Sequence, residues 1–286
     1  MPRLFVAFLF HICKMNFICF NGAILVEQPL FTPQNRGFRY GDGIFETIKI
    51  FRGRILLEEY HFDRLFSSIA LLKIIASNNF ERKILTEKIL ELCSMNKCFN
   101  SARVRLTAFR GEENKAEFVI EAFYLDEEIN QLNEKGWEIE IYPLVRKSCD
   151  AYANLKSANY LPYVLADLYA KEMKCQESIV LNSYNNLCDA SKANIFLLIK
   201  DEVYTPALHQ GCVNGVKRRF VIDELKKEGF TVYQREVDEE LLLSANEVFL
   251  TNAINDVRWV KAFRNKSYDN AFIKEFYKKK FTTIYH

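Results

Sequence analysis

The chain is poor in residues that loosen or break a fold, with 10 glycines and 6 prolines among 286 residues. That scarcity excludes collagen-like and disordered classes. No run reaches the ~18 consecutive apolar residues of a membrane-spanning helix, so no bilayer partner is expected. Neither sign of charge dominates, with 39 Lys+Arg against 37 Asp+Glu. A formal charge of +2 gives no electrostatic ground for a nucleic-acid partner. Only 4 histidines occur, none at ligand spacing from a cysteine or another histidine, so no metal site is expected. The 8 cysteines are scattered without a C-x-x-C. They read as reduced, mostly buried thiols of a cytoplasmic protein rather than a disulfide framework.

What is present is ordinary globular material, 49% hydrophobic and 27% charged, long enough for two domains or one large one. The first residues stand apart. Leu4 to Phe10 form an apolar run after Arg3, loosely like a signal-peptide core, but no small-x-small cleavage site follows. Residues 1–14 therefore read as an extension, and Met15 opens a chain that makes immediate structural sense.

Two apolar runs, FICF and AILV, flank Asn21-Gly22, a pair that tolerates positive φ, and predict a hairpin. Three glycines crowd into Gly37 to Gly43, marking backbone that turns sharply or lies close to something. A strand follows over 44–50. Helical periodicity over 58–74 puts Phe62, Leu65, Phe66, Ile69 and Leu72 on one stripe, with Arg64 and Ser68 one turn apart beside it. A second helix is predicted over 80–97, and strands over 103–109, 117–124 and 137–143. The polar stretch 127–136 reads as a linker, dividing a small domain (15–126) from a larger one (137–286). In the second half a helix starts near Pro162, with Leu161, Val164, Leu165 and Leu168 on one face. Strands over 178–181 and 194–199 flank a stretch that reads as irregular. A helix over 215–228 ends at Gly229, then come a strand from Thr231, a helix capped by Asp238, a strand over 247–251 and a basic helix over 269–281. The sum is an α+β protein of two halves, without the periodicity of a doubly wound sheet.

Four segments put polar groups where burial or a tight turn is expected. In Asn154 to Tyr160 a single lysine, Lys156, stands in an uncharged stretch before a helix. It either extends to solvent, or sits in apolar surroundings that favour a neutral, nucleophilic amine. Asp189 lies at the mouth of a strongly apolar strand, as a turn residue or a buried acid. Gly211 to Arg218 opens a helix, an ordinary entry or a phosphate cradle of free N–H groups. Leu250 to Ala253 ends a strand in hydroxyl and amide groups. An amine, an acid and a helix N-terminus are together the three attachments that pyridoxal phosphate requires.

These segments resemble the class IV aminotransferases, the fold-type IV pyridoxal-phosphate enzymes, which include branched-chain and D-amino-acid aminotransferases and aminodeoxychorismate lyases. The resemblance runs from about Asn16 to Phe263 through ordered motifs: Arg39 to Glu46, His61-Phe62-Asp63-Arg64-Leu65, Leu155 to Asn159, Asp189-x-Ser191-x-x-Asn194, Gly211 to Arg218 and Phe249 to Ala253. It implies a small N-terminal α/β domain, a larger C-terminal one with a mixed or barrel-like sheet, and pyridoxal 5′-phosphate as cofactor. It implies that Lys156 carries the cofactor and shuttles protons, and that Asp189 sits at the pyridine nitrogen. Arg64, the backbone at Val216 and Lys217, and the Thr251-Asn252 turn would grip the phosphate, with Ser191 and Asn194 also around the cofactor. Tyr40 would line the substrate side, and Arg110 would bind a substrate carboxylate. A homodimer and a small amino-acid-like substrate are implied too.

Three departures from the family pattern stand out. Asp189 replaces the usual Glu and Lys217 the usual Thr, and the later Gly and Pro are replaced around Asp256 to Val260. The Lys-Ser-x-Asn spacing looks like the lyase and D-amino-acid branches, because branched-chain enzymes usually carry one more residue, a glycine pair, before the asparagine. The expected activity is release of pyruvate from 4-amino-4-deoxychorismate to give 4-aminobenzoate, a folate precursor. The alternatives are a D-amino-acid or branched-chain aminotransferase, and a weakly active cofactor-binding relative.

Overall fold

Asn21 and Gly22, at φ +49° and +88°, turn β1 (Phe17–Phe20) into β2 (Ala23–Val26), the geometry their sequence predicts. The computed structural model describes residues 16–285, so the expected extension over 1–14 lies outside the described residues. Of the crowded glycines, Gly37 lies in a helix that the sequence pattern does not announce, α1 (Arg36–Tyr40). The helix ends at Gly41, whose φ of +62° favours glycine. β3 (Gly43–Phe51) and β4 (Arg54–Ile55) follow, then α2 (Glu58–Leu71), α3 (Arg82–Met95), β5 (Ser101–Arg110) and β6 (Ala116–Tyr124). The strands make one antiparallel sheet in the order β2-β1-β6-β5-β3-β4. Its core is the stripe read from α2 (Phe62, Leu65, Ile69), joined by Leu85, Ile89 and Leu92 of α3 against Ile48, Val104 and Phe118.

A second sheet starts at β7 (Trp137–Lys147). It continues through α4 (Leu161–Glu172), β8 (Glu177–Asn182), β9 (Leu187–Ala190), β10 (Asn194–Ile199), β11 (Glu202–Pro206), α5 (Val216–Lys227) and β12 (Thr231–Arg235). α6 (Glu239–Ser244), β13 (Glu247–Asn252), β14 (Asp256–Phe263), β15 (Lys266–Ser267) and α7 (Ala271–Lys280) complete it. The order is β12-β11-β10-β13-β14-β7-β8-β9, with parallel pairs at β11/β12, β14/β7 and β7/β8. The sheet curls on itself. The outer strand β9 turns straight into β10, and Leu187 N–H reaches Val237 O, 2.7 Å away, just beyond β12. The fold is therefore α+β, with a curled mixed sheet.

Two sequence expectations change. The stretch from Asn182 to Ala193 is not wholly irregular, because β9 lies within it and carries Asp189. The apolar face read for α4 is not the buried one. Leu161, Val164 and Leu168 are exposed, while Tyr163, Ala166 and Ala170 are buried. Two small alanines let α4 lie close on β8, where Ser178 Oγ donates to Ala166 O.

Candidate active site

β3 is paired with β5 along one side, and β4 covers only its far end. The open edge beside Gly43 and Phe45 is taken by residues 156–158. Phe45 N–H donates to Lys156 O (2.9 Å), and Ala158 N–H donates to Gly43 O (2.9 Å). The segment carrying the lysine is thus fixed in register by a sheet strand. Lys156 is half-buried, with its Nζ 4.5 Å from the ring centre of Phe45 and 5.2 Å from that of Tyr160. Burial, reinforced by the nearby Arg64 and Arg105, pulls the amine down to about 7, though Glu46 and Asp189 oppose the shift. Amine-selective labelling of Lys156, followed by peptide mapping, is therefore expected to reach half its maximal rate near pH 7. A half-maximum near the ordinary value of 10.5 would contradict an enclosed amine.

Asp189 is buried. Its Oδ2 accepts from Tyr163 Oη (2.6 Å), the Val213 amide (3.0 Å) and Lys147 Nζ (3.2 Å). Its Oδ1 accepts from Asn194 Nδ2 (2.8 Å), whose other donor goes to Val213 O (2.9 Å). A carboxylate has about four acceptor directions, and Oδ1 keeps one of its two for a further donor. Asn194 therefore orients the acid. Ser191 is turned away from it, donating to Glu177, whose carboxyl burial pushes up to about 7.

α5 opens at Gly215 with no side chain capping its first N–H groups. A Cβ at Gly215 would stand 1.9 Å from Asn194 Oδ1, so this helix entry demands glycine. Thr251, cross-strand from Asn194, has a buried Oγ1 with no hydrogen-bond partner among the described residues. Arg64 comes to the same place from α2, its Nη1 donating to Asn214 O (3.1 Å). Its Nε and Nη2 are held by Glu46 at 2.7 and 2.5 Å. Burial alone would raise Glu46, but Arg64 and His61 outweigh it and hold the carboxyl at about 2. Burial lowers His61, so a neutral ring donates Nδ1–H to Glu46 (2.6 Å). An orphaned hydroxyl, uncapped amides and a guanidinium, gathered around Asn194 and the Asn214-Gly215 turn, are donors that fit a phosphate. With Lys156 and Asp189, the residues present fit pyridoxal phosphate.

Lys217 takes another course. Its buried Nζ lies 2.6 Å from Asp256 Oδ1, between the rings of Phe220 and Phe281. Asp256 also binds Lys49 Nζ (2.9 Å), whose amine burial lowers to about 8 against the pull of Asp256. Lys217 thus binds the same carboxylate through which Lys49 of β3 joins the two sheets, leaving its backbone amide to the helix end. Asn252 Oδ1 likewise serves the chain, accepting from the amides of Ile254 and Asn255.

Tyr40 and Arg110 line a cleft of ≈850 Å³ that also reaches Leu155, Ser157 and Asn159, on either side of Lys156 in the chain. Tyr40 is exposed. Arg110 is engaged: Nε and Nη2 bind Asp42 at 2.9 and 3.3 Å, and the carbonyls of Leu72 and Lys73 take further donors. A different arginine is better placed for an anion. Arg105 stacks 3.9 Å from the centre of the Phe45 ring that Lys156 also faces, and among the described residues only its Nε is used, on Thr107. Sequence reasoning misses Arg105, Lys147, Tyr160, Tyr163 and Glu46 as site residues. Glu46 stands inside a quoted motif, whereas Lys147 and Arg105 look in sequence like any strand-end or strand-face cation.

The family description "Amino-transferase class IV" matches residues 43–263. Aminodeoxychorismate lyase of Bacillus subtilis is 27% identical over 246 residues, 83% of each chain. D-alanine aminotransferase of Listeria monocytogenes is 26% identical over 255 residues, covering 85% of this chain and 86% of that one. Among solved structures, the branched-chain amino acid aminotransferase of Escherichia coli superposes with a TM-score of 0.84 at 20% identity over 95% of both chains. The branched-chain aminotransferase of Thermoproteus uzoniensis, solved with norvaline, gives 0.83 at 19%, again over 95% of both chains. Motifs, fold and family match agree, and the chain belongs to the class IV aminotransferases, a family of pyridoxal-phosphate enzymes.

Proposed function

We propose that the protein is a pyridoxal-phosphate-dependent 4-amino-4-deoxychorismate lyase, releasing pyruvate and leaving 4-aminobenzoate. The observation that carries the reading is the pinned segment after the lysine. Lys156 O and Ala158 N–H are both bonded to β3, which holds in register the short Lys-Ser-x-Asn spacing that looks like the lyase and D-amino-acid branches. The 27% identity to a lyase supports the same branch. The alternatives are a D-amino-acid or branched-chain aminotransferase, supported by the comparable D-alanine aminotransferase match, and a weakly active relative.

When bound, pyridoxal phosphate withdraws the electron pair left by the broken bond at the substrate's α carbon. The residues do the rest. The α5 amides, Arg64 and Thr251 Oγ1 would hold the phosphate. Asp189 would face the ring nitrogen, its carboxylate held by Asn194 at Oδ1 and by Tyr163 at Oδ2. Lys156, its amine lowered to about 7 and so partly neutral at neutral pH, would take the α proton. Arg105 binds a substrate carboxylate, and Tyr40 lines the route in. Cleavage of the C–O bond on the neighbouring carbon would then release the enolpyruvyl group, which takes up a proton and becomes pyruvate.

The test is pyruvate formation from 4-amino-4-deoxychorismate with no keto-acid acceptor present. Transfer of the D-alanine amino group to 2-oxoglutarate, without pyruvate release from the chorismate derivative, would establish the aminotransferase reading instead. We infer a homodimer too, supported by the exposed apolar face of α4 (Leu161, Val164 and Leu168). Sedimentation at twice the chain mass is expected, and a monomer with full activity would contradict it. Free cysteines support a reducing, cytoplasmic setting.

A further inference from the structure

We propose that Lys147 is a positioning residue for the reaction: it holds Asp189 in place, directly and through Tyr163, and offsets part of that acid's negative charge. The inference rests on the reading of Asp189 as the partner of the cofactor's ring nitrogen. Three observations carry it. Lys147 closes β7, beyond a register shift between Ile141 and Arg146 in its pairing with β8. There its Nζ donates to Tyr163 Oη at 2.5 Å, and Tyr163 Oη donates onward to Asp189 Oδ2 at 2.6 Å. The same amine reaches that oxygen directly at 3.2 Å, with a side chain only 11% exposed.

The arrangement answers the shorter arm of aspartate. Set against a glutamate, Asp189 lacks a methylene and reaches less far, so its carboxylate must be fixed by what surrounds it. Four donors on Oδ2, Cys188 Sγ at 3.8 Å among them, do this and leave Oδ1 with Asn194 and one free acceptor direction. The charge matters as much as the geometry. A buried amine is less favourable than an apolar side chain of its size unless its charge is used. Here it acts on the acid that would stabilise a protonated ring, so Lys147 weakens the electron sink while it steadies the acid's position. No local pattern signals this pairing, because Lys147 and Asp189 are 42 residues apart.

The experiment loads the full-length protein with pyridoxal phosphate and titrates its visible absorbance band with pH, alongside cofactor affinity and thermal unfolding. Arg64, Glu46, Arg105 and Asp189 act on the Lys156 amine from α2, β3, β5 and β9. Tyr160, Tyr163, Cys188, Cys212 and Arg218 lie in the field of Asp189. All are unchanged in Lys147→Met. Removing a positive charge near a group that binds a proton raises its midpoint, so Lys147→Met is expected to move the band upward by about half a pH unit or more. Lys147→Arg restores the wild-type midpoint. Asp189→Asn removes a negative charge and moves it the other way.

A Lys147→Met protein that melts earlier but titrates like the wild type would overturn the proposal, leaving the lysine a purely structural role. Should Lys147→Met not fold, Lys147→Gln removes the same charge from a polar side chain and is expected to shift the midpoint in the same direction; no shift there overturns the proposal equally. If Asp189→Asn changes neither midpoint nor affinity, the reading of Asp189 itself fails, and that result is distinct from a silent Lys147→Met.

Discussion

Lys156→Ala is expected to lose turnover by about 10⁴-fold or more and to develop no imine absorbance band when mixed with pyridoxal phosphate. Both effects follow from one amine. In the proposed function it is the group that bonds the cofactor, and it is the only lysine whose Nζ lies against Phe45 and Tyr160 among the described residues. The loss is chemical, not structural. Burial lowers the Lys156 amine to about 7, so folding disfavours its charged form, and removing it takes away a cost at neutral pH. The variant should therefore unfold at no lower temperature than the wild type. Substantial turnover in Lys156→Ala would contradict the role given to the residue, whereas a lowered melting point would show that activity and folding had been lost together.

Asp256→Asn is expected to destabilise the protein by about 3–5 kcal/mol. Lys49 from β3 and Lys217 from α5 both bind this carboxylate, and all three side chains are buried. Taking away the anion leaves two cations in a medium that cannot solvate them. Asparagine tolerates the +57° φ of position 256, so backbone strain does not confound the substitution. Adding Lys49→Met and Lys217→Met to Asp256→Asn should recover most of the loss, as replacement of a whole buried cluster commonly does. Denaturant midpoints report both. No recovery in the triple variant would mean that the cluster is not the source of the penalty.

The same cluster fixes a pH trend. Lys49 titrates near 8 in the folded chain against an ordinary 10.5, so between those values the unfolded chain binds more protons. This lysine's contribution to stability therefore rises with pH across that window and is flat above it. In Asp256→Asn the folded value drops further and the rise starts at lower pH.

How far the sequence foretells this depends on the range of each interaction. The Asn21-Gly22 turn, the α2 stripe and the Asp238 cap, whose Oδ1 accepts from Leu241 N–H at 2.8 Å, are local and legible. Lys156, Asp189 and the α5 entry stand in separate segments, and short of the structure only the resemblance joins them. β9 is hidden because its four residues, Leu-Cys-Asp-Ala, show no alternation and are all buried. β14 is hidden because Arg258 and Asp256 interrupt its apolar pattern, yet both are buried, with Arg258 donating to Gln131 O and Ile129 O. The face of α4 misleads because the helix packs by its alanines. Lys49 and Asp256 meet across 207 residues, a distance at which no local pattern reports a partner.

Borohydride reduction of the cofactor-loaded protein, followed by peptide mapping, tests the central claim most directly. The account predicts a stable phosphopyridoxyl label on the peptide containing Lys156 and on no other. A label on Lys147, Lys49 or Lys217 instead, or a saturated protein that yields no labelled peptide, would contradict it.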